Sequence, residues 1–186
     1  SWLMQNKIKQ LKIESLNKKS TIISLQGPLA ENILQPLVAP FSLAALKAYW
    51  ITQVNINRQE LLISRTGYTG EDGFELYVPH AAAVSLWSAI LESGGKDILP
   101  CGLAARDTLR LEAALPLYGQ EYDDDITPLE AGYGWAVDFN KDFIGREALL
   151  KQKNAGPTKQ LVGIVPQEKV IPRSTYRIMP RGSFEI

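Results

Sequence analysis

Apolar and polar residues alternate along the chain in two rhythms, one of period two and one of helical spacing. The clearest period-two run is residues 73–78 (GFELYV), which places Phe74, Leu76 and Val78 on one face of a strand and Glu75 with Tyr77 on the other. The apolar run 60–65 (ELLISR) before it predicts the partner strand, and Gly67, Gly70 and Gly73, spaced by three, make the connecting loop of a hairpin. Residues 49–56 pattern as a further strand, paired with 60–65 around Asn57-Arg58-Gln59. Upstream, residues 1–19 are basic and polar, with Leu3, Lys7, Ile8 and Leu11 at helical spacing before an extended piece. The β-branched stretch 21–26 (TIISLQ) predicts a strand. Gly27-Pro28 then opens a predicted helix over 29–35, with proline at its first position and Pro36 and Pro40 ending it. Residues 43–48 pattern as a weaker helical or irregular piece.

Downstream of the hairpin the rhythm becomes helical. Residues 81–92 predict a helix with Val84, Trp87 and Leu91, joined by Ala83 and Ile90, on its apolar stripe, His80 at its entry and Gly94-Gly95 as its stop. Residues 102–114 (GLAARDTLRLEAA) predict another, in which Leu103, Leu109, Leu111 and the alanines pack. Thr127-Pro128-Leu129-Glu130 reads as a capping box, placing the acidic run 121–125 at a helix N-terminus. Residues 134–139 (GWAVDF) predict a strand with Trp135, Val137 and Phe139 on one side, 145–154 a short helix stopped near Gly156-Pro157, and 161–165 a new strand. These elements amount to an α+β fold of antiparallel sheets and packed helices: a region over residues 1–155, and the start of a further domain over 156–186.

Composition narrows the function classes. Lys plus Arg equals Asp plus Glu, 20 each in 186 residues, so no global field favours nucleic acid or an anionic membrane. The single cysteine, Cys101, excludes an intrachain disulfide and fits a reducing compartment. With His80 as the one histidine, no transition-metal cluster is expected. No apolar run reaches the length of a membrane span, and the N-terminal residues carry no apolar core of a signal peptide. No nucleophile elbow or phosphate loop is present, since a strand rather than a helix follows Gly67-x-x-Gly70-x-x-Gly73. Two features hold candidate chemistry. Glu75, a carboxylate within a strand, is either solvated on an outer face or held in a pocket. Arg106 and Arg110, four apart, share a helix face; they pair with Asp107, Glu112 or solvent, or they meet an anionic or polar ligand.

Four blocks, in order, carry a resemblance: Leu25-Gln26-Gly27-Pro28, residues 65–75 (RTGYTGEDGFE), residues 101–112 (CGLAARDTLRLE) and residues 126–149 (ITPLEAGYGWAVDFNKDFIGREAL). Together they resemble the T-protein family of the glycine cleavage system, tetrahydrofolate-dependent aminomethyltransferases. The related iron–sulfur-assembly folate proteins carry a Lys-Gly-Cys before Gly-Gln-Glu, whereas here Pro116-Leu117-Tyr118 precedes Gly119-Gln120-Glu121, as in the transferases. The resemblance implies a folate cloverleaf with a small C-terminal barrel that starts near Gln160, and tetrahydrofolate as co-substrate with no metal. The partner it implies is a lipoyl-carrying H-protein, and the place is the bacterial cytoplasm or, in a eukaryote, the mitochondrial matrix. It matches Glu75 to the carboxylate that holds the pterin ring, Arg106 to the folate-site arginine, and Tyr68 and Trp135 to aromatic walls. Ordinary core packing is the alternative for those two rings. The family's catalytic aspartate belongs to an upstream portion and is assigned to no residue here, so the isolated chain is expected to be inactive. An iron–sulfur-assembly module and a folate-dependent demethylase or dehydrogenase folate domain are the alternatives. Residues 180–186 match nothing in the family pattern.

Overall fold

The computed structural model describes residues 2–6, 10–167, 169, 176 and 177. The chain divides into two compact units, Ser1–Leu115 and Pro116–Ile186. After a short helix α1 (Trp2–Asn6), the first unit builds a four-stranded antiparallel sheet from β1 (Ser20–Gln26), β2 (Ile51–Ile56), β3 (Gln59–Ser64) and β4 (Gly73–Pro79), in the order β1-β4-β3-β2. The β2–β3 turn holds Asn57 and Arg58 at φ 51° and 65°, the left-handed pair whose twist suits a two-residue hairpin loop.

Period-two patterning gives this sheet one dry face. Phe74, Leu76 and Val78 of β4 are fully buried there, beside Ile23 and Leu25 of β1, Leu61 and Ile63 of β3, and Val54 and Ile56 of β2. The helix α2 (Ala30–Val38) adds Ile33, Leu34 and Val38 to that core, and α3 (His80–Gly94) adds Leu86 and Ile90. Burying a large apolar side chain stabilises by about 1.5–3 kcal/mol, so these aligned positions are what chiefly holds the unit together.

The helices depart from the pattern expected of the sequence in instructive ways. Pro28 precedes α2 rather than opening it, and Pro36 lies inside it. An internal proline costs about 3 kcal/mol, but Leu34 and Val38 on either side of it are buried, and their joint burial outweighs that cost. Gln35 then fixes the exit, donating from its amide to the Phe41 carbonyl at 2.7 Å and accepting from the Leu43 N–H at 2.8 Å. Along α3 the stripe of Val84, Trp87 and Leu91 does not face the core: Val84 is 77% and Trp87 43% exposed. The buried face runs through Leu86, Ile90 and Gly94, with Ala82 and Ala83 half-buried beside them, so of the expected stripe Ala83 and Ile90 do face the core. A helix apolar on nearly every side has no unique stripe, and a contact selects one: a Cβ at Gly94 would lie 2.4 Å from Ile98, so only glycine lets that face close.

Helix α4 (Leu103–Glu112) overturns another expectation, since Leu103, Leu109 and Leu111 are all exposed and Arg110 is its buried residue. In the second unit the capping box forms, with Glu130 accepting from the Thr127 N–H at 2.9 Å and the Thr127 hydroxyl at 3.0 Å. It caps one turn rather than a helix, because Gly132 at φ 78° breaks the course. Residues 134–139 are not a strand: Gly134–Ala136 is a 3-10 turn, tied by the Tyr133 N–H to the Pro128 carbonyl at 2.7 Å. Helix α5 (Arg146–Ala155) is as predicted, entered at Gly145 and left at Gly156, both at positive φ. Residues 161–165 join no strand among the described residues. Their backbone is linked by the Leu161 N–H to the Glu130 carbonyl at 2.9 Å, and a segment without a ladder partner has nothing to hold it extended. Residues 180–186 lie outside the described residues.

Candidate functional site

Everything at the site is set by the loop between β3 and β4, and Arg65 closes its base. The Arg65 guanidinium grips Asp72 with a two-point fork, Nε to Oδ1 at 2.9 Å and Nη2 to Oδ2 at 2.6 Å. It also reaches Glu31 on α2 at 2.8 Å and the carbonyls of Leu43 and Leu46, and lies 5.2 Å from the Phe74 ring centre. This pairing holds the Asp72 carboxyl below the usual carboxylate range and raises the arginine. A second restraint comes from β1. Gln26 donates its amide to the Thr66 and Phe74 carbonyls, while its Oε1, with no partner among the described residues, lies against Gly67 and Gly73. A Cβ at those glycines would come within 1.8 Å and 2.5 Å of that oxygen.

Glu75 projects from the face of the sheet opposite the core and is half-buried. Strand register gives it Ser24 of β1 on one side and Ser64 of β3 on the other, with Ile51 of β2 beyond Ser64. Both flanking positions carry short side chains, so neither cross-strand neighbour is large enough to cover the carboxylate. Its Oε2 accepts a short hydrogen bond from the Thr66 hydroxyl, and Thr66 in turn lies 2.6 Å from the hydroxyl of the buried Ser64. Among the described residues Oε1 has no partner, so one carboxylate oxygen is available to accept from a ligand's N–H.

Tyr68 and Arg106 come together. The Arg106 guanidinium lies over the Tyr68 ring at 4.9 Å, and the Tyr68 hydroxyl reaches the Leu115 carbonyl at 3.4 Å. Tyr68 is two residues beyond Thr66, so the glycine loop connects the arginine–tyrosine pair to the carboxylate. The two arginines of α4 divide the two readings between them: Arg110 is buried and bonded to Asp107 at 2.8 Å, whereas Arg106 is exposed and has no acidic partner among the described residues. Trp135 belongs to the second unit, where it lies 5.7 Å from Tyr133 and is 80% exposed, so it is packed into no core among the described residues. Sequence reasoning missed Ser64 and Ser24, whose signal is cross-strand register rather than any motif, and Thr66, a loop residue whose only signal is its hydrogen bond to Glu75. Two shallow concavities lie elsewhere, one along α5 beside Glu147 and Lys151, the other between the β2–β3 turn and α3; neither touches Glu75, Tyr68 or Arg106. Among the described residues no three His, Cys, Asp or Glu side chains are grouped as metal ligands, and no helix is long and apolar enough to cross a membrane.

Residues 1–141, three quarters of the chain, match the GCVT N-terminal domain. The chain belongs to that family. Aminomethyltransferase of Geobacillus sp. (strain WCH70) is 49% identical to this GCVT-family chain over 185 residues, 97% of the chain and 50% of the relative. Aminomethyltransferase of Desulforamulus reducens is 48% identical over 183 residues, again covering 97% and 50%. The crystal structure of glycine cleavage system aminomethyltransferase T from Bartonella henselae superposes with a TM-score of 0.64 at 36% identity, covering 75% of this chain and 38% of that one. The chain thus spans about half the length of the curated relatives it matches.

Proposed function

We propose that this GCVT-family chain provides the folate-holding part of an aminomethyltransferase of the glycine cleavage system. In that reaction the methylene of an aminomethyl-lipoyl arm on H-protein moves to N5 and N10 of tetrahydrofolate. The carbon–sulfur and carbon–nitrogen bonds to the donor break, two carbon–nitrogen bonds to folate form, and ammonia and the dihydrolipoyl arm leave. The observation that carries the proposal is the near-half identity, along almost the whole chain, to proteins named aminomethyltransferase.

The site suits such a ligand. A pterin edge offers adjacent N–H donors, and Glu75 offers an acceptor oxygen without a partner among the described residues, flanked in register by Ser24 and Ser64. The Tyr68 ring supplies a flat surface and Arg106 a cation without a carboxylate partner among the described residues, fit for the polar or anionic portion of the molecule. Trp135 gives the second unit an exposed aromatic surface. Residues of this chain bind and orient; none is assigned the proton-transfer step, and acceleration would come from holding two large substrates in register. The lone cysteine and the bacterial relatives suit the cytoplasm. The region over residues 1–155 is the folate-binding part, and 156–186 opens the next domain.

Titrating the chain with 5-formyltetrahydrofolate, followed by calorimetry, tests the assignment. Glu75→Gln, which swaps half of an ionised acceptor for a donor, is expected to weaken binding at least tenfold, about 1.4 kcal/mol. Equal affinity for the two proteins overturns it.

A further inference from the structure

We propose that Thr66, backed by Ser64, is the positioning residue for the Glu75 carboxylate, turning it so that only Oε1 is presented to the donor edge of the ligand; this rests on the folate reading above. The direction of the hydrogen bonds is forced by valence. An ionised carboxylate only accepts, so the Thr66 hydroxyl spends its single proton on Glu75 Oε2. The Ser64–Thr66 contact at 2.6 Å must then run with Ser64 as donor. A chain Ser64 to Thr66 to Glu75 results, each hydroxyl polarising the next. Ser64 is buried, so water does not compete for its proton, and strand register places it beside Glu75 on the same face.

Geometry also explains why Thr66 holds its place. Its carbonyl accepts from the Gln26 amide at 3.1 Å, and it adjoins Arg65, whose fork to Asp72 closes the loop. The hydroxyl is therefore delivered by backbone anchored on both sides. A glutamate otherwise has three rotatable side-chain bonds and would sweep the open face of the sheet. Fixing one oxygen removes that freedom before the ligand arrives, which is where affinity is gained.

Two measurements separate this inference from the folate assignment on which it rests. In the first, 5-formyltetrahydrofolate is titrated into the intact chain and its variants. Thr66→Val is expected to weaken binding about tenfold, Thr66→Ser to remain within about threefold of the parent, and Ser64→Ala combined with Thr66→Val to equal Thr66→Val alone. Thr66→Val within twofold of the parent, or failure of serine to rescue, overturns the role. In the second, without ligand, urea midpoints are compared for Thr66→Val, Glu75→Leu and the double variant. The relay predicts that Thr66→Val shifts the midpoint less than half as far once Glu75 is leucine; additive shifts overturn the relay whatever folate does. If no variant nor the parent binds the folate probe while the midpoints are non-additive, the contact stands and its ligand role falls with the folate reading.

Discussion

Arg65 is the residue on which the loop depends. It is mostly buried and meets two carboxylates and two carbonyls, contacts that a planar guanidinium can make at once and an ammonium cannot. Arg65→Lys is expected to lower stability by about 1–3 kcal/mol in urea unfolding, although charge is conserved. Its partner gives a pH dependence of definite sign. The Asp72 carboxyl titrates lower folded than unfolded, so its contribution is complete above the ordinary carboxylate value and is lost as pH falls through the folded one. Glu130, lowered by the Thr127 N–H and hydroxyl, acts in the same sense. The parent should therefore lose stability from about pH 5 downward, and Asp72→Asn should lose less across that interval when midpoints at pH 7 and pH 3 are compared.

At the scale of elements, the glycine loop shows how backbone conformation and close contact act together. Gly70 has φ 80°, and a Cβ there would lie 2.6 Å from that of Ala113. Gly70→Ala is expected to cost about 1–3 kcal/mol, whereas Gly163→Ala, with nothing within 4 Å, should stay within about 0.5 kcal/mol in the same assay. Strands proved more legible than helices in this sequence. Period-two alternation is strict in β4, so the sequence alone puts Phe74, Leu76 and Val78 on one face and Glu75 on the other, and the first face is the buried one. Apolar residues surround α3 on most sides, so Val84 and Trp87 were as plausible inward as Leu86. The Trp135 segment alternates like a strand but is bent by turn bonds that leave no periodic trace. In the candidate site, Glu75, Arg106 and Tyr68 stand inside the family blocks, which is what proposes them from sequence. Ser24 and Ser64 become visible only with the pairing of β1, β3 and β4, because adjacency across a sheet is not written in local sequence, and Thr66 only once the loop folds its hydroxyl onto Glu75.

For the whole molecule, a chain covering about half of its relatives is expected to bind before it can turn over. Glycine-cleavage assays with purified chain, H-protein and tetrahydrofolate should give no product above background, since none of the described residues is assigned the proton-transfer step; measurable turnover would refute that. The exposed leucines of α4 are unlike the core of the same unit, where replacing fully buried Leu76 with alanine should cost about 2–5 kcal/mol. The glycine loop is moulded on Gln26, whose amide meets the Thr66 carbonyl from 40 residues upstream and whose oxygen fills the space that side chains at 67 and 73 would need. Residues 65–75 are thus not a portable cassette: transplanted into another hairpin without that glutamine, they would bring their glycines and leave behind the template that gives them shape.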